Sequence, residues 1–243
     1  MVIKKFTKLK NGMYRLELDE NTFDVYEDLI LKYDLLIHKK IDEDLKKIIQ
    51  KENEMYIAYD IAISYLKIKM RSKKEVKEQL LKKNVSIDIV NKILEKLTLQ
   101  GYLNDESFSQ AFIHDQIALT NNGPLKIKEL LLSNEINCSI IDKYISIFDE
   151  ELQKQRINKY IQKQLKQNKK SKLVFKRKTV DSLINAGYEK KLIIEVLEKV
   201  EFDDSDIKTK EHEKIYNKLS RKYSGKELEF KIKQKMYQKG FFE

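Results

Sequence analysis

The sequence predicts a mainly α-helical protein built from tandem three-helix repeats that form an elongated, curved array, with a small N-terminal β hairpin or meander in front of it. Three observations carry this. Charged residues make up 36% of the 243 positions while glycine and proline together fill only seven, a balance that favours long amphipathic helices over sandwiches or open α/β sheets. Apolar residues recur at helical spacing between recognisable capping residues. The whole pattern then returns at an interval of ~50 residues, within the range of helical arrays.

The opening ~35 residues have a different period. Tyr14, Leu16 and Leu18 alternate with Arg15 and Glu17 just after Asn11-Gly12, a dipeptide suited to the positive φ of a hairpin turn. Strands are expected over Val2–Leu9, Met13–Leu18 and Thr22–Tyr26, the last with Phe23 and Val25 on one face. The expected division is a β cap over residues 1–41, a helical lead-in and first repeat over 42–105, and further repeats over 106–151, 152–204 and 205–243.

From about Asp42 the signals are helical. Ser72 and Glu75 have capping-box spacing, Ser86 precedes a second apolar run, and Pro124 follows Asn122-Gly123 at a favoured first helical position. Ser224 and Glu227 repeat the box spacing before a helix closed by Gly240. On these starts four registers superpose: Val76, Leu80, Leu81 and Val85; Ile127, Leu131, Leu132 and Ile136; Thr179, Leu183, Ile184 and Tyr188; Ile232, Met236, Tyr237 and Phe241. A following helix repeats too, as Ile89, Ile93, Leu94 and Leu97, then Ile140, Tyr144, Ile145 and Phe148, then Leu192, Val196, Leu197 and Val200. Each set is expected on one helical face that is buried by stacking on its neighbours.

The chemistry is that of a binder rather than an enzyme. The six glycines form no phosphate-cradling cluster, and His38, His114 and His212 are isolated from one another and from the single cysteine, Cys138. No catalytic residue, metal or cofactor is expected. Asp203, Asp204 and Asp206 lack a glycine-turned ligand loop and read as a solvated linker. The lone cysteine and the lack of a long apolar run predict a cytoplasmic chain with no membrane partner.

Net charge is +10, which points to nucleic acid or an acidic surface. By segment it runs −2 over 1–60, +5 over 61–105, −5 over 106–151, +7 over 152–204 and +5 over 205–243. Within the fourth segment Lys154, Arg156, Lys159, Lys163, Lys166, Lys169, Lys170, Lys172, Lys176, Arg177 and Lys178 occur with no acid between them, interleaved with glutamines and Tyr160. Such uncompensated charge favours an anionic partner, and phosphate contact over base reading.

The stretch Ala62–Phe108 resembles the first repeat of the RecX family: a helix leading to Arg71-Ser72, then Glu75-Val76 and Leu80, then Gly-Tyr-Leu-Asn-Asp over Gly101–Asp105, and Phe108. Lys235 and Lys239-Gly240-Phe241 are similar to the ending of its longer members. Asn84 and Asn104 depart from the family pattern, yet asparagine suits both a left-handed helix end and an N-cap. The resemblance implies a non-enzymatic modulator of RecA in recombination and DNA repair, one that binds the RecA filament and lowers its ATPase and strand exchange. Expected contacts with the filament or its single- or double-stranded DNA backbone are Arg71, Lys73, Lys74, Lys169, Lys170, Lys176, Arg177, Lys178, Arg221 and Lys222, on a chain expected to be monomeric. The alternative is a general nucleic-acid-binding helical repeat protein.

Overall fold

The computed structural model describes residues 1–19 and 21–242. The chain divides into two compact units, residues 1–108 and residues 109 onward. Among the described residues no helix is long and apolar enough to cross a membrane.

The first unit opens with an antiparallel sheet in the order β1 (Lys5–Lys8), β2 (Met13–Glu17), β3 (Thr22–Tyr26). Asn11 and Gly12 both take positive φ, 57° and 71°, and the Met13 N–H donates to the Lys10 carbonyl to close the turn. Leu16 pairs with Phe23 and Tyr14 with Val25, so the alternation read from the sequence places one apolar face inward. The first strand is shorter than expected because the chain changes partner before Lys5: Ile3 N–H donates to the Lys39 carbonyl, and Val2 bridges Lys40. A short helix, α1 (Glu27–Lys32), also lies where only β cap was expected. It buries Leu29 and Ile30 beside Leu16 and Val25. Six residues are too few for helical periodicity to show in sequence.

Next comes α2 (Glu43–Leu66), capped by Asp42, whose carboxylate accepts the Leu45 N–H at 2.7 Å. It serves two cores. Its first half places Ile49 in the sheet's core, where buried Asn53 accepts the Tyr26 N–H and donates to the Asp24 carbonyl. That amide thus satisfies main-chain groups at the end of β3 that would otherwise be buried without partners. The second half contributes Ala58 and Ala62 to a bundle with α3 (Lys73–Lys82) and α4 (Ile87–Leu99). The Ser72–Glu75 capping box forms in full.

The second unit continues the three-helix plan. Helix α5 (Asp105–Leu119), whose first turn belongs to the first unit, is followed by α6 (Pro124–Ser133) and α7 (Cys138–Ile145), then by α8 (Glu150–Leu165), α9 (Lys172–Asn185) and α10 (Lys190–Glu198). Asn104 caps α5 by accepting the Ser107 N–H. The fourth repeat comprises α11 (Ser205–Leu219) and α12 (Gly225–Gln238) among the described residues. Ser224 and Glu227 do not form the expected box: Ser224 makes no side-chain cap bond. Gly225 stands at φ 57°, outside the helical basin, at the position where the box needs a helical residue.

One device recurs in all four repeats. The second helix ends with a left-handed residue, Asn84, Glu135, Gly187 or Gly240, with φ between 60° and 87°. The next N–H reaches back along the helix, from Val85 to Leu80, Ile136 to Leu131, Tyr188 to Leu183 and Phe241 to Met236. This is the Schellman arrangement. It explains the four superposed registers, with one correction. Leu80, Leu131, Leu183 and Met236 are buried, whereas Leu81, Leu132, Ile184 and Tyr237 are 41–67% exposed. A residue five positions along a helix lies ~140° around from the first, on the flank. In the third helices Val90, Ile141 and Ile193, each one residue past the start of the register read from the sequence, are fully buried as well.

Within the second unit the repeats join head to tail. Gly123 N–H donates to the Ala186 carbonyl and Leu125 N–H to the Gly187 carbonyl, so the start of α6 sits on the end of α9. A Cβ on Gly187 would lie 2.3 Å from the Lys126 nitrogen. The start of α9 meets the end of α12 in the same way, through a hydrogen bond from Ser171 Oγ to the Lys239 carbonyl at 2.8 Å. Helix ends that would leave main-chain groups unsatisfied thus supply each other's partners.

Candidate nucleic-acid interface

The basic run of repeat 3 separates into parts with different work. Lys154 pairs with Glu150 at 2.7 Å and Glu195 at 2.9 Å, and these hydrogen bonds hold its pKa well above the ordinary lysine value. Arg156 donates to the carbonyls of Ile117 and Thr120 at the end of α5 and to the Tyr188 hydroxyl, while its guanidinium lies over the Phe148 ring. Both belong to the fold. In space, therefore, the run does meet acids, at its N-terminal end.

Farther along α8, Lys159, Lys163 and Lys166 are exposed and spaced three or four residues apart, so they share one face. Tyr160 and Gln164 share the neighbouring face. The chain then turns on Asn168, whose side chain accepts the Lys170 N–H at 3.1 Å and donates to the Lys170 carbonyl at 2.7 Å. Ser171 is buried and caps α9. This geometry brings Lys169 and Lys170 to the rim of a recess of about 440 Å³ that is also lined by Tyr160, Gln164, Gln167, Asn168, Lys178 and Ser182, with Phe175 and Thr179 beneath.

None of the residues lining the recess is acidic. Direct contact with Lys178, followed by Coulomb repulsion from it, pulls the pKa of Lys170 below the ordinary lysine value. Two ammonium groups facing each other without a carboxylate form a ready site for a phosphate oxygen.

The other expected contact residues are distributed as follows. On α9 the buried stripe is Phe175, Thr179 and Leu183. Helical geometry puts Lys176 and Lys178 on opposite flanks of this stripe and Arg177 on the outer side. The structure therefore brings Lys169, Lys170 and Lys178 together and leaves Lys176, half-buried, and Arg177, exposed, outside the recess. In repeat 1 Arg71 pairs with Glu75 at 3.1 Å and stacks over Tyr65 at 4.0 Å, Lys73 pairs with Asp105 at 3.2 Å, and Lys74 is half-buried. Arg221 and Lys222 are exposed between α11 and α12. The amide side chains of Asn168 and Gln164 and the Ser182 hydroxyl were absent from the expected set; only interleaving with lysine marked the glutamines. Asp203 and Asp204 serve as main-chain acceptors, for the N–H groups of Ser205 and Lys172.

Comparison with known proteins agrees with the fold. Residues 58–97 match the model for the RecX first three-helix domain. The chain is 33% identical to the regulatory protein RecX of Halalkalibacterium halodurans, over 96% of this chain and 92% of that one. It is 32% identical to the regulatory protein RecX of Bacillus cytotoxicus, over 98% and 91%. A crystal structure of regulatory protein RecX shares the fold with a TM-score of 0.65 at 22% identity, covering 82% of this chain and 99% of that one. The crystal structure of RecX from Lactobacillus salivarius does so with a TM-score of 0.54 at 21% identity, over 61% and 97%. With identity above 30% sustained over nearly its whole length, the chain belongs to the RecX family of regulatory proteins.

Proposed function

We propose that this chain is a negative regulator of RecA, which binds the RecA–DNA filament and lowers its ATPase and strand-exchange activity. Family membership supports the regulatory role. The observation that carries the DNA contact is the acid-free recess of repeat 3, where Lys169, Lys170 and Lys178 converge. Lysines approach phosphate as point charges and impose little sequence preference, which suits a regulator that must act wherever a filament forms. Arg177, Arg221 and Lys222 are exposed and offer further cations to phosphate, and the exposed apolar flank positions of the repeats offer contacts to protein. In this reading the chain is a cytoplasmic monomer that has no catalytic centre and acts by occupancy.

The test is the DNA-dependent ATPase of RecA as the purified chain is titrated in. Hydrolysis should fall as the regulator reaches stoichiometric amounts. An unchanged rate at that ratio, with DNA binding intact, would overturn the RecA reading in favour of a general nucleic-acid-binding repeat protein, which the basic recess also suits.

A further inference from the structure

We propose that the recess of repeat 3 seats one unstacked nucleotide of single-stranded DNA, with its base against Tyr160 and the amides of Gln164 and Gln167 and its phosphate between Lys170 and Lys178. This rests on reading the recess as the DNA contact and adds to it a means of telling a single strand from a duplex.

The lining carries the argument. A site for backbone phosphate alone needs cations and donors at a surface, and the exposed face of Lys159, Lys163 and Lys166 already provides one. The recess is concave and adds an aromatic ring and a set of amides to its lysines. Its volume of about 440 Å³ lies toward the small end of the ~300–1,000 Å³ range of small-molecule pockets, a size suited to one nucleotide. Aromatic rings beside basic side chains bind single strands because every base offers a π face, whatever its identity. Glutamine and asparagine amides carry both donors and acceptors, so they tolerate different base edges. The Asn168 turn locks the main chain at Lys170, which fixes that lysine's start point relative to α8. In a duplex the bases are paired and stacked, so only phosphates reach the site, at Lys169 and Lys170 on the rim and at the outer lysines.

Three ligands and the 243-residue chain test this: a labelled single strand of about 15 nucleotides, the same strand with abasic sites, and the corresponding duplex. Tyr160→Leu should weaken single-strand binding on the order of tenfold and leave duplex binding unchanged. Abasic sites should cost the parent chain a similar factor and cost Tyr160→Leu nothing further. Lys170→Gln should weaken both ligands and flatten both salt dependences. The proposal falls if Tyr160→Leu acts equally on both ligands, or if the parent chain binds the abasic strand as tightly as the intact one. The abasic comparison needs no variant, so a folding defect does not obscure it. RecA inhibition is read separately: inhibition without strand discrimination removes this proposal alone, and discrimination without inhibition removes the filament reading alone.

Discussion

Repeats 1 and 3 share a helix plan and a basic charge, a net +5 over 61–105 and +7 over 152–204, yet their cations are in different physical states. In repeat 1 Arg71 is held by Glu75 and the Tyr65 ring, and Lys73 by Asp105. In repeat 3 Lys154 is held by carboxylates and Arg156 by main-chain carbonyls, while Lys169 and Lys170 in the turn after α8 and Lys178 on α9 line a recess that no carboxylate lines. Charge density in sequence therefore reports two things at once, structural pairing and binding capacity. Only placement separates them.

The largest expected effects lie where the repeats are alike. Leu80→Ala and Leu183→Ala remove equivalent buried side chains at the Schellman turn, and each should cost roughly 2–5 kcal/mol in urea unfolding. Leu81→Ala and Ile184→Ala, one residue along on the flank, should stay within about 0.5 kcal/mol of the parent. Equal losses at both positions of a pair would show that the register is misplaced.

That contrast also marks how far the sequence could be read. The repeat interval, the hairpin turn, the Ser72 box and the left-handed Asn84 were all legible, because each depends on local chemistry within a few residues. The exposed flank position was misjudged, since an apolar residue next to a buried one adds to the same pattern whichever way it points. α1 was missed because its burial depends on a sheet formed by other residues. At the candidate site the lysine run was visible. The pairing of Lys154 with Glu195, the use of Arg156 to hold the end of α5 and the meeting of Lys170 with Lys178 all join residues distant in sequence or on different elements, and no local pattern reports them.

Arginine offers the next sharpest comparison. Arg71→Gln removes a partly buried ion pair and a stacked guanidinium, and should destabilise the chain by about 1–2 kcal/mol without altering the salt dependence of DNA binding. Arg177→Gln should do the reverse: an unchanged urea midpoint and a shallower salt slope. If Arg71→Gln flattens the salt slope as much as Arg177→Gln, the distinction between the two repeats is wrong.

Changing Lys169, Lys170, Lys176 and Arg177 together to glutamine extends this to the whole run. The fold should persist, because none of these side chains is deeply buried. For every phosphate that the variant no longer neutralises, the slope of log affinity against log salt should fall by ~0.9 for duplex DNA or ~0.7 for a single strand. The recess holds Lys169 and Lys170 but neither Lys176 nor Arg177. The pair Lys169→Gln/Lys170→Gln should therefore account for most of the single-strand weakening, and Lys176→Gln/Arg177→Gln for little of it. An unchanged affinity and slope in the fourfold variant would make the run a solvated face.

The smallest effect is a pH dependence peculiar to repeat 3. Lys178 lowers the pKa of Lys170 in the free chain, so Lys170 loses its proton at a lower pH than an ordinary lysine. A phosphate between the two ammonium groups opposes that repulsion and raises the pKa again, so the bound state holds more protons than the free one. By linkage, affinity is highest where Lys170 is already charged and declines as pH rises through its lowered pKa, earlier than it would for an unperturbed lysine. The lowered pKa also means that this charge opposes folding, and Lys170→Gln should raise the melting temperature slightly near neutral pH while weakening binding. Repeat 1 supplies the control, because Lys73 faces Asp105 rather than another cation. Lys73→Gln should leave the alkaline decline of DNA affinity in place, whereas Lys170→Gln should remove it. A decline that survives Lys170→Gln would mean that the two lysines do not share one phosphate.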